Sequence, residues 1–250
     1  MNNNIQNKLL EELKYKKTIV FVLIDSENMD INLAVNCAKH SEFIGVSAIL
    51  IGGSSVIDQL EMIKLVGELK KNTSIPIILF PGNITGVIPG ADAILFTSLL
   101  NSENPYFISK AQALAAPTIL KFNLEPLSTA YIIIGTGTTA EFIGSAKGIP
   151  FKKNKLAAAY ALAAKFFGMK FVYLEAGSGA NTTVCPEMVK EVKKIFNGVL
   201  IVGGGINDYI TAKKLSDAGA DILVIGTLLE KKNNFDELKK IVNVINGKKF

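Results

Sequence analysis

The chain has 250 residues, a length typical of one (β/α)₈ barrel and sufficient for a large hydrophobic core. Hydrophobic residues make up 49% of it and the mean hydropathy is +0.33, which excludes a disordered chain. The formal net charge is +5, yet all 27 basic residues are lysines. Because arginine is the preferred reader of base edges and phosphates, its absence argues against a nucleic-acid-binding protein.

The lysines are dispersed along the chain, as expected for solvated helix faces. Such a weak positive field attracts phosphorylated substrates, and a peripheral contact with an anionic lipid surface stays open. No apolar run is long enough for a membrane span, and Met1–Lys8 lacks the apolar core of a secretory signal. Cys37 and Cys185 lack metal-binding spacing, so we expect reduced thiols in or near the core of a cytoplasmic protein.

Short β-branched runs alternate with helical patterns along the chain. Residues 1–17 are helix-like and form an N-terminal extension. Amphipathic segments predict helices at Val56–Lys71, Pro186–Phe196 and Tyr209–Ala218, the last one capped by Gly219. The order of elements predicts a single α/β domain over 1–250, a parallel (β/α)₈ TIM barrel. Its eight predicted strands are Ile19–Ile24, Val46–Ile51, Ile75–Phe80, Ala93–Phe96, Ala130–Ile134, Phe171–Glu175, Val199–Val202 and Ile222–Ile225.

An open, doubly wound sheet is the alternative arrangement of these elements. It would require a Gly-x-Gly-x-x-Gly turn after the first strand, where the chain has Asp25-Ser26-Glu27-Asn28. The two least regular segments are 99–129, which contains Pro117 and Pro126, and 135–155. We expect long loops there, with a functional or lid-like role, because such loops in compact barrels usually have one.

Three apolar runs late in the chain break into glycine. They are Tyr173–Ala180, Ile201–Ile206 and Ile222–Thr227. Glycine lets backbone N–H groups approach an anion closely and turn toward it. In TIM barrels, the loops after the last strands commonly form such a phosphate site. The pattern therefore predicts a phosphorylated small-molecule ligand.

Glu175 lies inside one of these apolar runs, where a carboxylate is costly unless it faces a polar cavity. It is the candidate acid–base residue, since a glutamate there can orient or deprotonate a substrate hydroxyl. Strand alternation turns Tyr173 to the same side, either as a ligand contact or as barrel filling.

Asp25 ends the first predicted strand and Ser54 follows the second. Each can instead cap the helix that comes next. Together they offer the hard oxygen ligands that Mg²⁺ prefers, with water and substrate phosphate completing its coordination. The single histidine, His40, is far from any strand end, so a His-dependent triad or a zinc site is not expected.

Several strings in this sequence occur together in one family. Phe80–Asn83, Ala91–Ser102 and Tyr173–Ala180 precede the two remaining glycine turns in that order. With them, the chain resembles geranylgeranylglyceryl phosphate synthase, the archaeal prenyltransferase, in its second, archaea-rich subgroup. The resemblance extends over Ile19–Thr227.

The resemblance implies a modified TIM barrel that joins sn-glycerol 1-phosphate to geranylgeranyl diphosphate through an ether bond. Pyrophosphate is released in this first ether step of archaeal membrane lipid synthesis. It implies Mg²⁺ held by Asp25 and Ser54, and Glu175 as the group that activates the attacking hydroxyl. Barrels of this family commonly associate, so a homo-oligomer is expected. The implied contacts of glycerol phosphate are Tyr173, Leu174, Glu175, Ala176, Gly177, Ser178, Gly179, Gly204, Gly205, Gly226 and Thr227.

One departure from the family concerns Asn28. The family pattern after the first strand is Asp-Pro-Asp-Lys, and its lysine is a diphosphate contact that Asn28 cannot reproduce. Three alternatives stay open: another lysine replaces this contact, the dependence on Mg²⁺ is stronger, or the prenyl donor binds more weakly. The prenyl chain also needs an apolar groove, and the candidates for it are Phe96, Leu99, Phe122 and Tyr131, each of which is also a good core residue.

Two other functions stay open on the sequence. A barrel lyase or isomerase acting on a phosphorylated sugar would share the phosphate turns, but it needs a second acid–base group, for which Lys121 is the candidate. A non-enzymatic module that binds a phosphate ligand would leave the glutamate inside the sixth strand unexplained. Turnover of a prenyl diphosphate separates the main prediction from both.

Overall fold

The computed structural model of the chain describes residues 4–26, 29–53, 58–232 and 234–247. Within these ranges the strands close into one parallel barrel in chain order, with the last strand paired to the first. The predicted (β/α)₈ barrel is therefore confirmed, and the open sheet is excluded. Its strands are β1 (Ile19–Asp25), β2 (Ala48–Gly53), β3 (Ile77–Pro81), β4 (Ala93–Leu99), β5 (Glu125–Ile133), β6 (Phe171–Glu175), β7 (Val199–Gly203) and β8 (Ile222–Ile225).

Helices surround this barrel. The carboxylate of Asp58 accepts hydrogen bonds from the backbone N–H groups of Leu60 and Glu61 and so caps the start of the third helix. The sequence predicts an earlier start at Val56, which lies outside the described residues. Gly219, with φ of 108°, ends the eighth helix as predicted. The helices are α1 (Asn4–Tyr15), α2 (Ile31–Ile44), α3 (Gln59–Asn72), α4 (Ala111–Lys121), α5 (Thr139–Gly144), α6 (Asn154–Phe166), α7 (Pro186–Ile195), α8 (Tyr209–Ala218), α9 (Thr227–Lys232) and α10 (Phe235–Ile245).

Helix α1 closes the amino-terminal end of the barrel. Its Leu9 is buried against the barrel interior, which includes Phe21. The buried carboxylate of Glu125, at the start of β5, accepts hydrogen bonds from the backbone N–H groups of Ile5 at 2.7 Å and Gln6 at 2.9 Å. These N–H groups of the first helical turn have no partner within the helix, so Glu125 both satisfies them and complements the helix dipole.

Strand β5 differs most from its predicted bounds. The sequence predicts Ala130–Ile134, whereas the strand begins at Glu125 and includes Pro126. Strand β6 begins opposite Thr129, so the first residues of β5 have no strand on that side. The N–H of Glu125 points toward β4, and the N–H of the next residue in a strand points to the opposite side. At position 126 that side has no neighbouring strand, so the N–H that proline lacks would have had no backbone partner there.

The segment 99–129 is not a long loop. It contains a π-helix at Tyr106–Lys110 followed directly by α4, and Pro117 lies inside that helix. Proline removes one backbone hydrogen bond of the helix. Ala115 and Ile119 nevertheless pack against the core, and such tertiary packing outweighs a local helix-breaking signal.

One side of the barrel departs from the regular pattern. Strands β3 and β4 pair only at Ile78–Ala93 and Leu79–Ile94, whereas β4 and β5 pair along the whole of β4. The connection between β3 and β4, all of it described, contains a 3₁₀ turn at Ile84–Gly86 where other connections carry an α-helix. The carboxyl-terminal parts of β3 and β4 are therefore not hydrogen-bonded to each other, and we call the opening between them the slot.

Three residues set aside in the sequence analysis are accounted for by packing. Cys37 is buried, Cys185 is half-buried, and neither forms a disulfide. His40 is exposed on α2, with its ring stacked on Phe235 at a centroid distance of 4.5 Å. Within the described residues, no helix is both long enough and apolar enough to cross a membrane.

Candidate active site

A cavity of about 400 Å³ opens at the carboxyl ends of the strands. We call its two parts the polar end and the apolar arm. The polar end is lined by Asp25, Gly52, Tyr131, Tyr173, Glu175, Ser178, Gly204, Gly205, Asn207, Gly226 and Thr227. The apolar arm is lined by Val87, Ile94, Leu95, Phe96, Leu99, Phe107, Ala111, Ala115, Ile119 and Ile143.

The apolar arm lies beside the slot. Leu95 belongs to the apolar cluster inside the barrel, whereas Ile94 belongs to the cluster between the barrel and the helices. Both residues line the cavity, so the arm borders both faces of β4. Phe96 and Leu99 of the arm belong to the part of β4 that is not paired with β3.

Glu175 is the central residue of the polar end. It is the last residue of β6 and is 6% exposed. Its carboxylate accepts a hydrogen bond from the backbone N–H of Gly177 at 2.6 Å and others from the hydroxyls of Tyr131 and Tyr173. Burial raises the pKa of this carboxyl above its usual value, and the three donors partly oppose that shift. The result is an oriented carboxylate that is more basic than a solvated one, as a general base requires.

The two tyrosines that hold Glu175 form an aromatic cluster with Phe80. The ring of Tyr131 meets that of Tyr173 edge-on at 5.2 Å, and Phe80 stacks on Tyr173 at 5.4 Å. Burial, followed by the negative charge of Glu175, raises the pKa of both phenols well above the usual value. Both hydroxyls therefore stay protonated and remain hydrogen-bond donors to the carboxylate.

Sequence reasoning missed the hydrogen bond from Tyr131 to Glu175, because it assigned Tyr131 to the prenyl groove. Tyr131 lies directly opposite Tyr173 in the pairing of β5 with β6. Strand alternation then turns both rings inward, below the carboxylate at the end of β6. The register of those two strands is the signal that would have revealed it, and register depends on tertiary pairing.

Two glycines at the end of β7 allow this close packing. A Cβ atom on Gly203 would lie 2.2 Å from the hydroxyl oxygen of Tyr173. A Cβ atom on Gly204, whose φ is 84°, would lie 2.6 Å from Oε1 of Glu175. Glycine is therefore required at both positions, by space at the first and by space and backbone conformation at the second.

The predicted glycine turns meet at the polar end. The backbone N–H of Gly179 donates to Oγ1 of Thr227 at 3.1 Å, which joins the turn after β6 to the turn after β8. Backbone N–H groups and hydroxyls arranged in this way bind a phosphate without a charged side chain. Glycines with positive φ in these turns are Gly177, Gly179, Gly204 and Gly205.

Four members of the predicted binding run do not line the cavity. Leu174 and Ala176 point outward by strand alternation and pack into the core between the barrel and the helices. Gly177 supports Glu175, and Gly179 supports Thr227, through their N–H groups. Sequence reasoning grouped all of them because they form one contiguous string, and their own contact with a ligand stays a prediction.

Asp25 is the half-buried last residue of β1 and lines the polar end. Among the described residues that line the cavity, the charged ones are Asp25 and Glu175, both acidic. Ser54, the second predicted metal ligand, and Asn28 lie outside the described residues. Within the rest of the chain, no group of three or more His, Cys, Asp or Glu side chains is arranged to hold a metal ion.

This donor set fits Mg²⁺ better than a metal that needs a closed protein cage. Mg²⁺ keeps several waters and commonly binds through one or two carboxylates together with substrate phosphates. Asp25 supplies one hard oxygen donor at an open cavity, which leaves room for such a shared coordination sphere.

Three of the four predicted groove residues, Phe96, Leu99 and Tyr131, line the cavity. Phe122 does not, because it follows the last turn of α4 and packs against the outer core. The groove residues that sequence reasoning missed lie on β4, at the residue directly after the 3₁₀ turn, and on the π-helix, α4 and α5.

The comparisons with known proteins agree with this geometry. The sequence profile of the PcrB family matches residues 12–245. The geranylgeranylglyceryl phosphate synthase of Nitrosopumilus maritimus is 62% identical over 247 residues, which cover 99% of each chain. That of Cenarchaeum symbiosum is 57% identical over 243 residues, 97% of this chain and 98% of the relative.

A solved structure shows the same fold over the whole length. It is the crystal structure of (S)-3-O-geranylgeranylglyceryl phosphate synthase from Thermoplasma acidophilum in complex with its substrate sn-glycerol-1-phosphate. The TM-score is 0.94 at 34% sequence identity, and the match covers 99% of this chain and 100% of the other. The chain therefore belongs to the PcrB family and, within it, to the geranylgeranylglyceryl phosphate synthases.

Proposed function

We propose that this chain joins sn-glycerol 1-phosphate to geranylgeranyl diphosphate through an ether bond, the first ether step of archaeal membrane lipid synthesis. One observation carries the proposal: a single cavity combines a buried basic carboxylate beside glycine turns with an apolar arm. A phosphorylated acceptor suits the first part and a prenyl chain suits the second. The relatives and the substrate complex of the Thermoplasma acidophilum enzyme support the same assignment.

At the polar end, the acceptor phosphate would rest on the turns that contain Gly204 and Gly226. This would place the free hydroxyl of the acceptor at Glu175. The hydroxyl oxygen attacks the allylic carbon, Glu175 takes its proton, and the bond between that carbon and the diphosphate oxygen breaks with release of pyrophosphate. Tyr131 and Tyr173 hold the carboxylate in place, so that the reaction gains from orientation as well as from basicity.

We propose Mg²⁺ as the cofactor, with Asp25 and Ser54 as its protein ligands. The charged groups that line the described cavity are both carboxylates, so a diphosphate would be repelled without a cation. When bound, Mg²⁺ offsets the negative charge that builds on the departing pyrophosphate. Exhaustive chelation should stop turnover and added Mg²⁺ should restore it, whereas undiminished turnover in chelator would contradict the metal role.

Product analysis tests the reaction itself. The purified chain is incubated with Mg²⁺, labelled geranylgeranyl diphosphate and either enantiomer of glycerol phosphate, and the products are identified by mass spectrometry. We expect a prenyl glyceryl ether with sn-glycerol 1-phosphate and equimolar pyrophosphate. The absence of any ether product with either enantiomer would overturn the proposal.

The sugar-phosphate alternative is not favoured. Its candidate acid–base residue, Lys121, is exposed in the last turn of α4 and does not line the cavity. No lysine or histidine is present among the described residues that line the cavity, so Glu175 would have no second acid–base partner there.

We also propose that the chain is a cytoplasmic homo-oligomer able to touch a lipid surface. Exposed aromatic side chains at Phe142, Phe166 and Phe167 support an association of this kind. Light scattering tests the oligomer, and a monomer at working concentration would contradict it. Cosedimentation with anionic vesicles tests the lipid contact, which would be refuted if the protein stayed in the supernatant.

A further inference from the structure

The π-helix Tyr106–Lys110 covers part of the apolar arm, and we call it the roof segment. Phe107 of this segment lines the cavity, as do Ala111 and Gln112 directly after it. A π-helix is a rare local geometry that often occurs at functional sites. Here the N–H of Ala111 reaches back to the carbonyl of Tyr106, which gives the segment its wide turn.

Two neighbouring carbonyls of the roof segment are bound by side chains. Nε2 of Gln112 donates to the carbonyl of Phe107 at 2.9 Å and to that of Thr97, on β4, at 2.6 Å. The hydroxyl of Ser98, also on β4, donates to the carbonyl of Ile108 at 2.6 Å. The roof segment is therefore held to β4 at two successive residues.

A third hydrogen bond ties the roof segment to the other side of the slot. The hydroxyl of Tyr106 donates to Oδ1 of Asn83 at 2.7 Å. Asn83 lies in the turn directly after β3, whereas Tyr106 follows β4 in the chain. The hydrogen bond thus spans the region where the two strands have no backbone pairing.

Gln112 serves the roof segment through its amide nitrogen only. With its two N–H groups on carbonyls, its Oε1 is buried and has no hydrogen-bond partner. An unpaired buried acceptor costs free energy, but an apolar residue of the same length would leave the carbonyls of Thr97 and Phe107 without this donor. The polar amide of Gln112 is therefore needed to fix the position of the roof segment.

We propose that Ser98, Gln112 and Tyr106 are positioning residues for the prenyl donor. Their hydrogen bonds fix the distance between the roof segment and the ends of β3 and β4, and a prenyl chain fills the space between them. Backbone hydrogen bonds between β3 and β4 cannot fix this distance, because the two strands are unpaired there. None of the three is assigned a contact with the reacting atoms. The inference rests on the proposed prenyltransferase function.

The test compares Ser98→Ala and Gln112→Met with the wild-type chain, using steady-state kinetics with geranylgeranyl diphosphate and sn-glycerol 1-phosphate. Each variant should raise the KM for the prenyl donor by about five- to tenfold, as the loss of one or two hydrogen bonds predicts. The KM for glycerol phosphate and the kcat at saturating donor should not change. With geranyl diphosphate, whose shorter chain reaches less of the arm, the effect should be smaller.

Ser216→Ala is the matched control. Its buried hydroxyl shares a hydrogen bond of 2.8 Å with Thr18 at the amino-terminal end of the barrel, away from the cavity. This variant should lower the Tm without changing either KM. If Ser98→Ala and Gln112→Met also lowered only the Tm, or raised both KM values equally, the positioning role would be refuted.

Tyr106→Phe keeps the inference testable if a buried variant fails to fold. It removes an exposed hydrogen bond and retains the ring, and it should raise the donor KM by about two- to fivefold with an unchanged acceptor KM. An unchanged donor KM in this folded variant would contradict the proposal. Failure of the proposed function would instead appear as no ether product from the wild-type chain.

Discussion

The two ends of the cavity are built in different ways. The polar end lies on β6, β7 and β8, which pair up to their carboxyl ends, where Glu175 lies opposite Gly203. The apolar arm lies beside β3 and β4, which pair at only two positions. Its walls are side chains from β4, the π-helix, α4 and α5, whereas the polar end is made of strand ends and the turns that follow them.

This difference follows from what each end must do. The reacting hydroxyl and carboxylate must be held within a fraction of an ångström, and a continuous hydrogen-bonded ladder gives that precision. A prenyl chain has no polar atoms to orient and needs volume, which becomes available where a barrel helix is replaced by a 3₁₀ turn. Variants at the polar end should therefore change catalysis and acceptor binding, and variants along the arm should change donor binding.

The largest effect is expected for Glu175→Gln. The substitution keeps the size of the side chain and removes the base, so kcat should fall by about 10²–10⁴-fold while glycerol phosphate still binds. Steady-state kinetics and calorimetric binding of the acceptor measure the two quantities. A near-wild-type kcat would end the catalytic assignment and leave the polar end as a binding site.

The same variant should not lose stability at neutral pH. The folded pKa of Glu175 is raised above its usual value of 4.5, so between the two values the native state binds more protons than the unfolded chain. The free energy of unfolding therefore decreases as pH rises through the folded pKa, and the uncharged amide of the Glu175→Gln variant would remove that decrease. Urea unfolding at acidic and neutral pH checks this. A large loss of stability with unchanged specific activity would indicate that Glu175 only satisfies buried groups.

Gly204→Ala should have the next largest effect and should act on the acceptor. Its Cβ would meet Oε1 of Glu175 and the N–H of Gly177, both at 2.6 Å, in a backbone conformation with φ of 84°. Strain of this kind costs about 1–3 kcal/mol, so kcat/KM for glycerol phosphate should fall by about 5- to 100-fold. The donor KM should stay close to that of the wild type. A change confined to the donor KM would break the division between the two ends.

Tyr131→Phe should lower kcat by about tenfold, because it removes one hydrogen bond to a charged carboxylate. The lost donor is one of the groups that lower the pKa of Glu175. The acid limb of the kcat profile should therefore move to higher pH in the variant. Tyr160→Phe, on α6 and away from the cavity, is the matched control and should leave the profile unchanged. An identical acid limb in Tyr131→Phe and wild type would argue against this hydrogen bond.

Gly144→Ala should have the smallest effect and should act on the donor. Its Cβ would lie 2.4 Å from Cδ2 of Leu99, the movable end of a side chain that lines the arm. Since Gly144 lies in α5 and its φ is not positive, alanine suits the helix, and we expect about a threefold rise in the KM for geranylgeranyl diphosphate. The acceptor KM should not change. Gly144→Ala and Gly204→Ala make the same chemical substitution at the apolar arm and at the polar end. Together they test whether the arm controls donor binding and the polar end controls acceptor binding.

The polar end could be read largely from the sequence because its signals are local. A glutamate inside an apolar strand and glycines directly after strands identify the carboxyl face of a barrel without knowledge of what lies opposite. Glu175, Gly204 and Gly226 line one cavity, and their contact with a ligand stays a prediction. The strands β6 and β8 were predicted with their observed bounds for the same reason, since each is a short run of aromatic or aliphatic residues that ends before a turn.

Tertiary structure decided the parts that depend on pairing and packing. Pro126 is tolerated in β5 because β6 starts later, and Pro117 is tolerated in α4 because the helix packs on the core. The hydroxyl of Tyr131 reaches Glu175 only through the register of β5 and β6. The apolar arm lies beside the unpaired part of β4, and its residues come from successive elements that border one cavity only in the folded barrel. No local pattern encodes such a juxtaposition, since burial and hydrogen bonding between distant segments are settled only when the barrel closes.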